Sequence, residues 1–179
     1  MWRVFPRVNL QSDDFELFGL QPQFAQDRSV IDERWKQLQR QAHPDRFADQ
    51  GPAAQRLAMQ WSVRINEAHQ RLKDPLRRAA YLCQLRGAAV DAHDNTAMPA
   101  QFLAQQIEWR EALDEAGDMD ALEALAEQTR SQRAQGFEHL AHSLDVTGDA
   151  RQAAGWVRSL MFMERFSQEV DARIDRMGV

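Results

Sequence analysis

A histidine and a carboxylate separated by one proline are the residues of this sequence best suited to chemistry. His43 and Asp45 flank Pro44, and proline fixes its own φ, lacks a backbone donor and disfavours helical dihedrals at the preceding residue. This tripeptide, called the corner below, predicts a rigid turn that exposes an imidazole and a carboxylate. Such a pair could act in acid–base catalysis, but that chemistry also needs a third group and an enclosing pocket.

Two other places hold residue types that carry chemistry. His139 and His142 lie three residues apart on a predicted helix, a spacing that can direct two imidazoles at one metal ion. The neighbouring Glu138 lies at the wrong angle to complete such a site, so two surface histidines are the favoured interpretation. Cys83 is the single cysteine, which excludes an internal disulfide and a cysteine-rich metal site. Its apolar neighbours indicate a core or boundary residue.

Enzyme motifs are otherwise missing from the sequence, which contains no glycine-rich phosphate loop and no nucleophile elbow. We therefore expect that the protein is not an enzyme and needs no cofactor or metal ion. The single cysteine favours a reducing, cytoplasmic location. The first ten residues lack the apolar run of a signal peptide, and no stretch approaches the roughly 20 apolar residues of a membrane span.

Charge divides the chain into two parts. The net charge of the 179 residues is −5, but residues 1–86 are net +4 and residues 87–179 are net −9. Such a split indicates two regions with different partners, the alternative being two solvated surfaces of different charge. Because the first part is only mildly basic and has no aromatic stacking platform, an acidic protein surface is a better candidate partner than nucleic acid.

The elements that must position the corner are helical, since strand patterns of period two are nearly absent. A capping pattern over 12–16 starts a short helix, which Gly19 ends after Phe18. A second helix begins near Asp27 or Ser29 and must end by Ala42, which precedes His43 and its proline. Its apolar stripe consists of Ile31, Trp35, Leu38 and Ala42, and its outer side carries Arg34, Lys36 and Arg40.

A predicted loop over 47–51 leads to a third helix, which begins near Pro52 and keeps one apolar face for about five turns. Helices two and three should pack against each other as an antiparallel hairpin. Asp74 and Pro75 start a fourth helix that ends at Gly87. Residues 87–98 lose the helical periodicity and mark the domain boundary.

Three further helices are predicted over about 99–116, 119–144 and from the break at 147–149 to the C-terminus. The short breaks between them predict a three-helix bundle. The last helix has a heptad-like seam, which consists of Trp156, Leu160, Met163, Ser167, Val170, Ile174 and Met177.

One stripe of residues on the first bundle helix lies away from the core face that Phe102, Trp109 and Leu113 form. It consists of Leu103, Ile107, Glu108, Glu111, Asp114 and Glu115, and Phe162 likewise falls off the seam of the last helix. A partly apolar, partly acidic stripe is a plausible docking surface. The alternative is a wide core face with a solvated acidic edge.

The chain resembles a known family at these same positions. Residues 13–87 are similar to a J domain, and the similarity is carried by the segments 14–20, 38–47, 65–68, 72–75 and 78–82. The phrase Phe15-x-Leu-Phe-Gly-Leu20, and Phe102-Leu103 leading to 108–115, are similar to one branch, the HscB-type co-chaperones of bacterial iron–sulfur cluster assembly. The resemblance covers about residues 13–177.

The resemblance implies an all-α fold with an N-terminal extension over 1–12, a J domain over 13–87, a linker over 88–98 and a C-terminal three-helix bundle over 99–179. It implies that the J domain stimulates the ATPase of an HscA-type heat-shock chaperone and that the bundle delivers an IscU-type scaffold to it. The implied chaperone-binding residues are His43, Pro44, Asp45, Arg34, Lys36, Arg40 and Arg46. The implied scaffold-binding residues are Leu103, Ala104, Ile107, Glu108, Glu111, Glu115 and Phe162.

The sequence departs from the family pattern at a few positions. Ala42 stands where J domains usually have tyrosine, and Arg46 replaces the usual lysine but keeps its charge. Ala104 stands where a larger apolar residue is common, so that contact should be weaker. The paired-cysteine module of eukaryotic relatives is absent, so we expect no bound metal. Two alternatives stay open: a general J protein for ordinary folding clients, and an acid–base or metal-dependent enzyme.

Overall fold

The computed structural model describes residues 9–90 and 98–178, except the side chains of residues 100 and 101, and within these ranges all regular structure is helical. The prediction of an all-α fold is therefore confirmed. The described residues form seven α-helices: α1 (Asp14–Phe18), α2 (Arg28–Ala42), α3 (Pro52–Lys73), α4 (Pro75–Leu85), α5 (Ala100–Glu115), α6 (Met119–Ala141) and α7 (Ala150–Met177). None of the helices in the described ranges has the length and hydropathy needed to cross a membrane.

The chain divides into two compact units, Met1–Arg78 and Ala79–Val179, so that the division falls inside α4. The domain bounds derived from the sequence stay predictions. Most of the predicted linker, residues 91–97, and most of the predicted extension, residues 1–8, lie outside the described residues.

In the first unit, α1 is anchored by a buried carboxylate. Asp13 caps the helix by accepting a hydrogen bond from the Glu16 backbone, and Gly19 ends it in the left-handed region at φ 63°. Asp14 is fully buried and pairs with Arg64 at 2.6 Å and Arg71 at 2.9 Å. Since both arginines belong to α3, the ion pairs hold α1 on that helix.

Helices α2 and α3 form the predicted antiparallel hairpin, and polar side chains tie its seam together. Successive residues along α2 contact residues that come progressively earlier in α3. Asp32 pairs with His69 at 2.6 Å, and Trp35 Nε1 donates to Asn66 Oδ1 at 2.8 Å. One turn later, Gln39 bonds the Asn66 side chain at 2.7 Å and both the carbonyl and the hydroxyl of Ser62. Trp35, predicted as part of an apolar stripe, also stacks on His69 at 4.7 Å.

The connection between α2 and α3 differs from the predicted loop. Residues Pro44–Gln50 form a 3₁₀ helix, with Pro44 at its first position, where a missing backbone donor costs nothing. Phe47 is 8% exposed, so one apolar side chain anchors this segment. Sequence periodicity misses the segment because two turns of 3₁₀ helix are too short to show a pattern.

In the second unit, α5, α6 and α7 run up, down and up. Phe102 and Trp109 of α5 meet Phe162 and Phe166 of α7 in the same order along both helices. Helix α6 runs the opposite way to α7, since its His139 stacks on Trp156 near the start of α7. Gly136 lets α6 and α7 approach closely, because a Cβ there would lie 3.0 Å from Leu160 Cδ2.

Two details of the bundle differ from prediction. Helix α6 ends at Ala141 and continues as one π-helical turn, His142–Val146, whose Leu144 carbonyl accepts a hydrogen bond from Arg86 at 2.5 Å. Helix α7 buries a wider face than the predicted seam, because it packs on both α5 and α6. Its buried residues outside that seam include Ala153, Ala154, Val157, Ser159 and Phe166, whereas Met177 of the seam is 42% exposed.

Candidate functional site

The corner is rigid and exposed. His43 has extended dihedrals, φ −62° and ψ 127°, as the pre-proline position predicts. Its Nδ1 accepts a hydrogen bond from the Asp45 backbone at 3.4 Å and lies 3.5 Å from Asp45 Oδ2, with the two side chains 57% and 89% exposed. A pair this well solvated lacks the burial that tunes catalytic acids and bases. The geometry leaves both polar side chains exposed at the surface.

The cationic face is the set Arg34, Lys36, Arg40 and Arg46, whose side chains are all exposed. Lys36 and Arg40 lie one turn apart on α2, and Arg34 lies toward the other edge of the exposed side. Arg46 donates to the Arg40 carbonyl at 3.2 Å, which brings its guanidinium back from the corner to the end of α2. Within the described parts of the chain, these four side chains form no ion pair with a carboxylate. Their charge is therefore open to an external acidic surface.

The acidic strip is the set Leu103, Ala104, Ile107, Glu108, Glu111 and Glu115 on α5, and all six side chains are exposed. Leu103 is 49% exposed and Ile107 62%, one turn apart, so they form a short apolar ridge beside the carboxylates. The core face of α5 is separate, since Phe102, Trp109 and Leu113 are buried. The wide-core alternative is wrong for this helix, because the bundle leaves both apolar ridge residues in solvent.

Phe162 lies beside the acidic strip although it belongs to α7. Its half-buried ring makes an edge contact with Phe102 at 5.8 Å and stacks on Phe166 at 6.0 Å. Arg110 of α5 lies over the Phe162 ring at 5.6 Å from the centroid. The structure thus brings together scaffold-binding candidates that are far apart in sequence.

The remaining candidates for chemistry have structural explanations. His139 and His142 are exposed, and the ring of His139 stacks on Trp156 at 4.6 Å. In the described ranges, no three His, Cys, Asp or Glu side chains converge in a way that could hold a metal ion. Cys83 is fully buried, and burial raises the pKa of its thiol to about 11, with Arg86 and Arg158 partly opposing the rise. The prediction of a core cysteine is confirmed.

Three residues next to Phe162 and the acidic strip were missed by sequence reasoning: Arg110, Phe166 and Glu169. Arg110 contacts both rings and pairs with Glu169 through both carboxylate oxygens. A signal existed for Arg110, since it lies three residues after Ile107 and seven after Leu103. Phe166 gave none, because only the packing of α7 on α5 shows that its face is buried.

Known proteins resemble the chain over nearly its whole length. A family model described as the HSCB C-terminal oligomerisation domain matches residues 98–171. A relative named co-chaperone protein HscB homolog, from Paraburkholderia phytofirmans, is 48% identical over 174 residues, which cover 95% of this chain and 98% of the relative. A second of the same name, from Burkholderia multivorans, is 46% identical over 173 residues, 95% of this chain and 98% of the relative.

Solved structures resemble the fold of the chain. The chaperone HscB from Vibrio cholerae is 33% identical, with a TM-score of 0.75 over 92% of this chain and 99% of that one. The human co-chaperone HscB has a TM-score of 0.81 over 93% of this chain and 84% of that one; at 22% identity it bears on the fold alone. The fold is thus an N-terminal J domain followed by a C-terminal three-helix bundle, and the chain belongs to the HscB family of co-chaperones.

Proposed function

We propose that this protein stimulates the ATPase of an HscA-type heat-shock chaperone and delivers an IscU-type scaffold to it during iron–sulfur cluster maturation in the cytoplasm. The observation that carries the proposal is the exposed corner beside a cationic face whose side chains form no ion pair with a carboxylate in the described parts of the chain. The corner and the acidic strip would bind the chaperone and the scaffold respectively. Neither role needs a cofactor, a nucleic acid or a membrane, and neither makes the protein itself an enzyme.

The first role is a binding role with a kinetic effect. A co-chaperone accelerates hydrolysis only if it binds the hydrolysis-competent state of the chaperone more tightly than the resting state, since equal affinity for both shifts nothing. The corner suits this task because Pro44 fixes the backbone, so little conformational entropy is lost on binding. The four cations would steer the approach to an acidic surface, in a manner that salt screens.

The second role follows from the composition of the acidic strip. Leu103 and Ile107 offer apolar area that the bundle leaves in solvent, and Glu108, Glu111 and Glu115 place negative charge beside it. A matching partner presents an apolar patch edged with lysine or arginine. Ala104 adds little contact area, so we expect the ridge and Phe162 to provide most of the apolar contact.

The test of the first role is His43→Gln. This variant should keep the helical content and melting temperature of the wild type, because His43 is an exposed side chain, and should lose stimulation of the HscA-type ATPase in a steady-state assay. His142→Gln, which alters an exposed histidine in the second unit, is the matched control and should stimulate fully. Full stimulation by His43→Gln would remove the corner from the mechanism.

The test of the second role is Leu103→Ala combined with Phe162→Ala. We expect Leu103 and Phe162 to be among the minority of interface side chains whose truncation costs more than about 1 kcal/mol each, so scaffold affinity should fall at least about tenfold by calorimetry. ATPase stimulation without scaffold should change little. Val146→Ala, which trims a side chain that is 71% exposed in the same unit, is the control.

These assays also separate the rival functions. A general J protein would stimulate chaperones equally with and without scaffold, and its acidic strip would be incidental. A metal-dependent enzyme would carry stoichiometric metal in an elemental analysis of the purified protein. Equal loss of scaffold binding and of scaffold-independent stimulation in the double variant would contradict two separate surfaces.

A further inference from the structure

Arg110 occupies an unusual place for a cation. It is the single Lys or Arg of α5, on a helix whose exposed side carries Glu108, Glu111, Asp114 and Glu115. It lies on the same side of α5 as Leu103 and Ile107, one turn beyond Ile107. An unpaired cation there would repel the basic partner that the acidic strip attracts, so its charge must be accounted for.

The structure shows where that charge goes. Arg110 pairs with Glu169 of α7 through both carboxylate oxygens, and the longer of the two contacts is 3.3 Å. The two side chains are half-exposed, and a forked guanidinium–carboxylate pair has one preferred geometry. Glu169 therefore neutralises the cation and fixes the plane of its guanidinium.

The fixed guanidinium lies over two aromatic rings. Its central carbon is 5.6 Å from the centroid of Phe162 and 5.5 Å from that of Phe166. Phe166 is fully buried, and its ring is stacked on that of Phe162 within 8° of parallel. Phe162 is thus held by Phe166, by the edge of Phe102 and by Arg110, and the remainder of its ring is open to solvent.

We propose that Arg110 is a positioning residue for scaffold docking: neutralised by Glu169, it holds the Phe162 ring in place so that its exposed part continues the apolar ridge of Leu103 and Ile107. This inference rests on the proposed function of the acidic strip. It assigns Arg110 an effect on the partner that passes through Phe162. Holding the ring in advance lowers the ordering cost that binding would otherwise incur.

The decisive experiment is a double-mutant cycle on scaffold binding, measured by calorimetry with the full chain and an IscU-type scaffold. Arg110→Ala should weaken binding about fivefold, the range of a half-exposed cation–π contact. In a Phe162→Ala background, Arg110→Ala should have almost no further effect, because nothing is left to position. Arg110→Lys should recover little, since an ammonium cannot make the planar, forked contact.

The cycle has a matched control on α6. Arg133 lies over the Phe137 ring at 5.2 Å, so Arg133→Ala removes the same kind of contact from the same unit, away from α5. It should leave scaffold affinity unchanged. An equal loss with Arg110→Ala in the wild-type and Phe162→Ala backgrounds would overturn the proposal, because it would indicate direct contact with the scaffold or general destabilisation. No loss in the wild-type background would overturn it as well.

A second measurement does not depend on any partner. In NMR spectra of the free protein, the guanidinium protons of Arg110 should be shifted upfield by the rings beneath them, and Phe162→Leu should reduce that shift. Arg110→Ala should also accelerate ring flipping of Phe162. If these signatures are present but scaffold binding does not depend on Leu103 and Phe162, the proposed docking function fails, while the positioning of Phe162 by Arg110 stands. If the signatures are absent, the positioning role of Arg110 fails.

Discussion

At the scale of single residues, burial decides what a polar group can do. Asp14 is fully buried and lies within 2.9 Å of two arginines, whereas Asp45 is almost fully solvated. The first carboxylate holds two helices together, and the second lies exposed at the corner beside His43. Both are aspartates in sequence motifs of the same family, so residue type alone does not separate the two roles.

Replacing Asp14 by Ala should destabilise the protein by about 3 kcal/mol, the usual cost of removing one partner from a buried ion pair. The loss arises because Arg64 and Arg71 keep their charge at a site built around a carboxylate. Chemical denaturation followed by circular dichroism measures it. Asp45→Ala, at the exposed corner, is the control and should change stability by less than about 0.5 kcal/mol; equal losses would contradict this account.

Cys83 should be unreactive in the folded protein. Burial raises the pKa of its thiol from 9.0 to about 11, so at pH 8 to 10 the folded state holds the proton and offers little thiolate. Alkylation by iodoacetamide should therefore be slow in buffer and fast in denaturant. Rapid alkylation of the native protein would contradict the burial.

The raised pKa of Cys83 also makes the stability of the protein depend on pH. Between pH 9 and 11 the unfolded state loses the thiol proton and the folded state retains it, so the free energy of unfolding falls as pH rises through that range. The Cys83→Ala variant lacks this group and should show a smaller decline. Denaturation midpoints of both proteins across the range provide the comparison.

At the scale of elements, helix ends that depend on local sequence could be predicted, whereas burial that depends on packing between helices could not. The ends of α1 and α2 follow from Gly19 and from the pre-proline His43, both of which act on their own backbone. The π-helical turn after Ala141 left no periodic signal. Phe166 was missed for another reason: its burial depends on α5, whose Trp109 stacks on it at 5.6 Å.

Gly136 tests how closely α6 and α7 approach. A Cβ there would lie 3.0 Å from Leu160 Cδ2, the end of a flexible side chain. Gly136→Ala should therefore be nearly neutral, since the helix propensity gained, about 1 kcal/mol, offsets the shift of Leu160. Gly136→Val should cost about 2 kcal/mol through overpacking. Thermal denaturation of both variants distinguishes them, and a stable Gly136→Val would show that the helices can separate.

At the scale of the whole molecule, opposite charges are segregated along the chain. Residues 1–86 are net +4 and residues 87–179 net −9, which the sequence alone could show. What it could not show is which charges are already neutralised. Arg64 and Arg71 pair with Asp14 inside the first unit, whereas the cationic face is left without ion-pair partners among the described residues.

We expect the rates of association with the chaperone and with the scaffold to depend on salt, each through a different set of charged residues. Raising salt from about 0.05 M to about 0.5 M should slow association with the chaperone and with the scaffold about tenfold each. Arg34→Gln with Lys36→Gln should flatten the salt dependence for the chaperone alone. Glu108→Gln with Glu111→Gln should flatten it for the scaffold alone. Stopped-flow measurements check this crossed design, and flattening of both rates by either pair would contradict separate surfaces.

The polar seam of the α2–α3 hairpin also limits how the corner can move. Asp32, Trp35 and Gln39 each bond a specific partner on α3, so sliding one helix along the other breaks all of these bonds at once. The next register lies a full helical turn away, about 5.4 Å, and would separate Asp32 from His69. An apolar seam would permit gradual drift. The polar pairs of this seam instead fix one register between α2 and α3. Because His43 follows the last residue of α2, that register also fixes how far His43 extends beyond the hairpin.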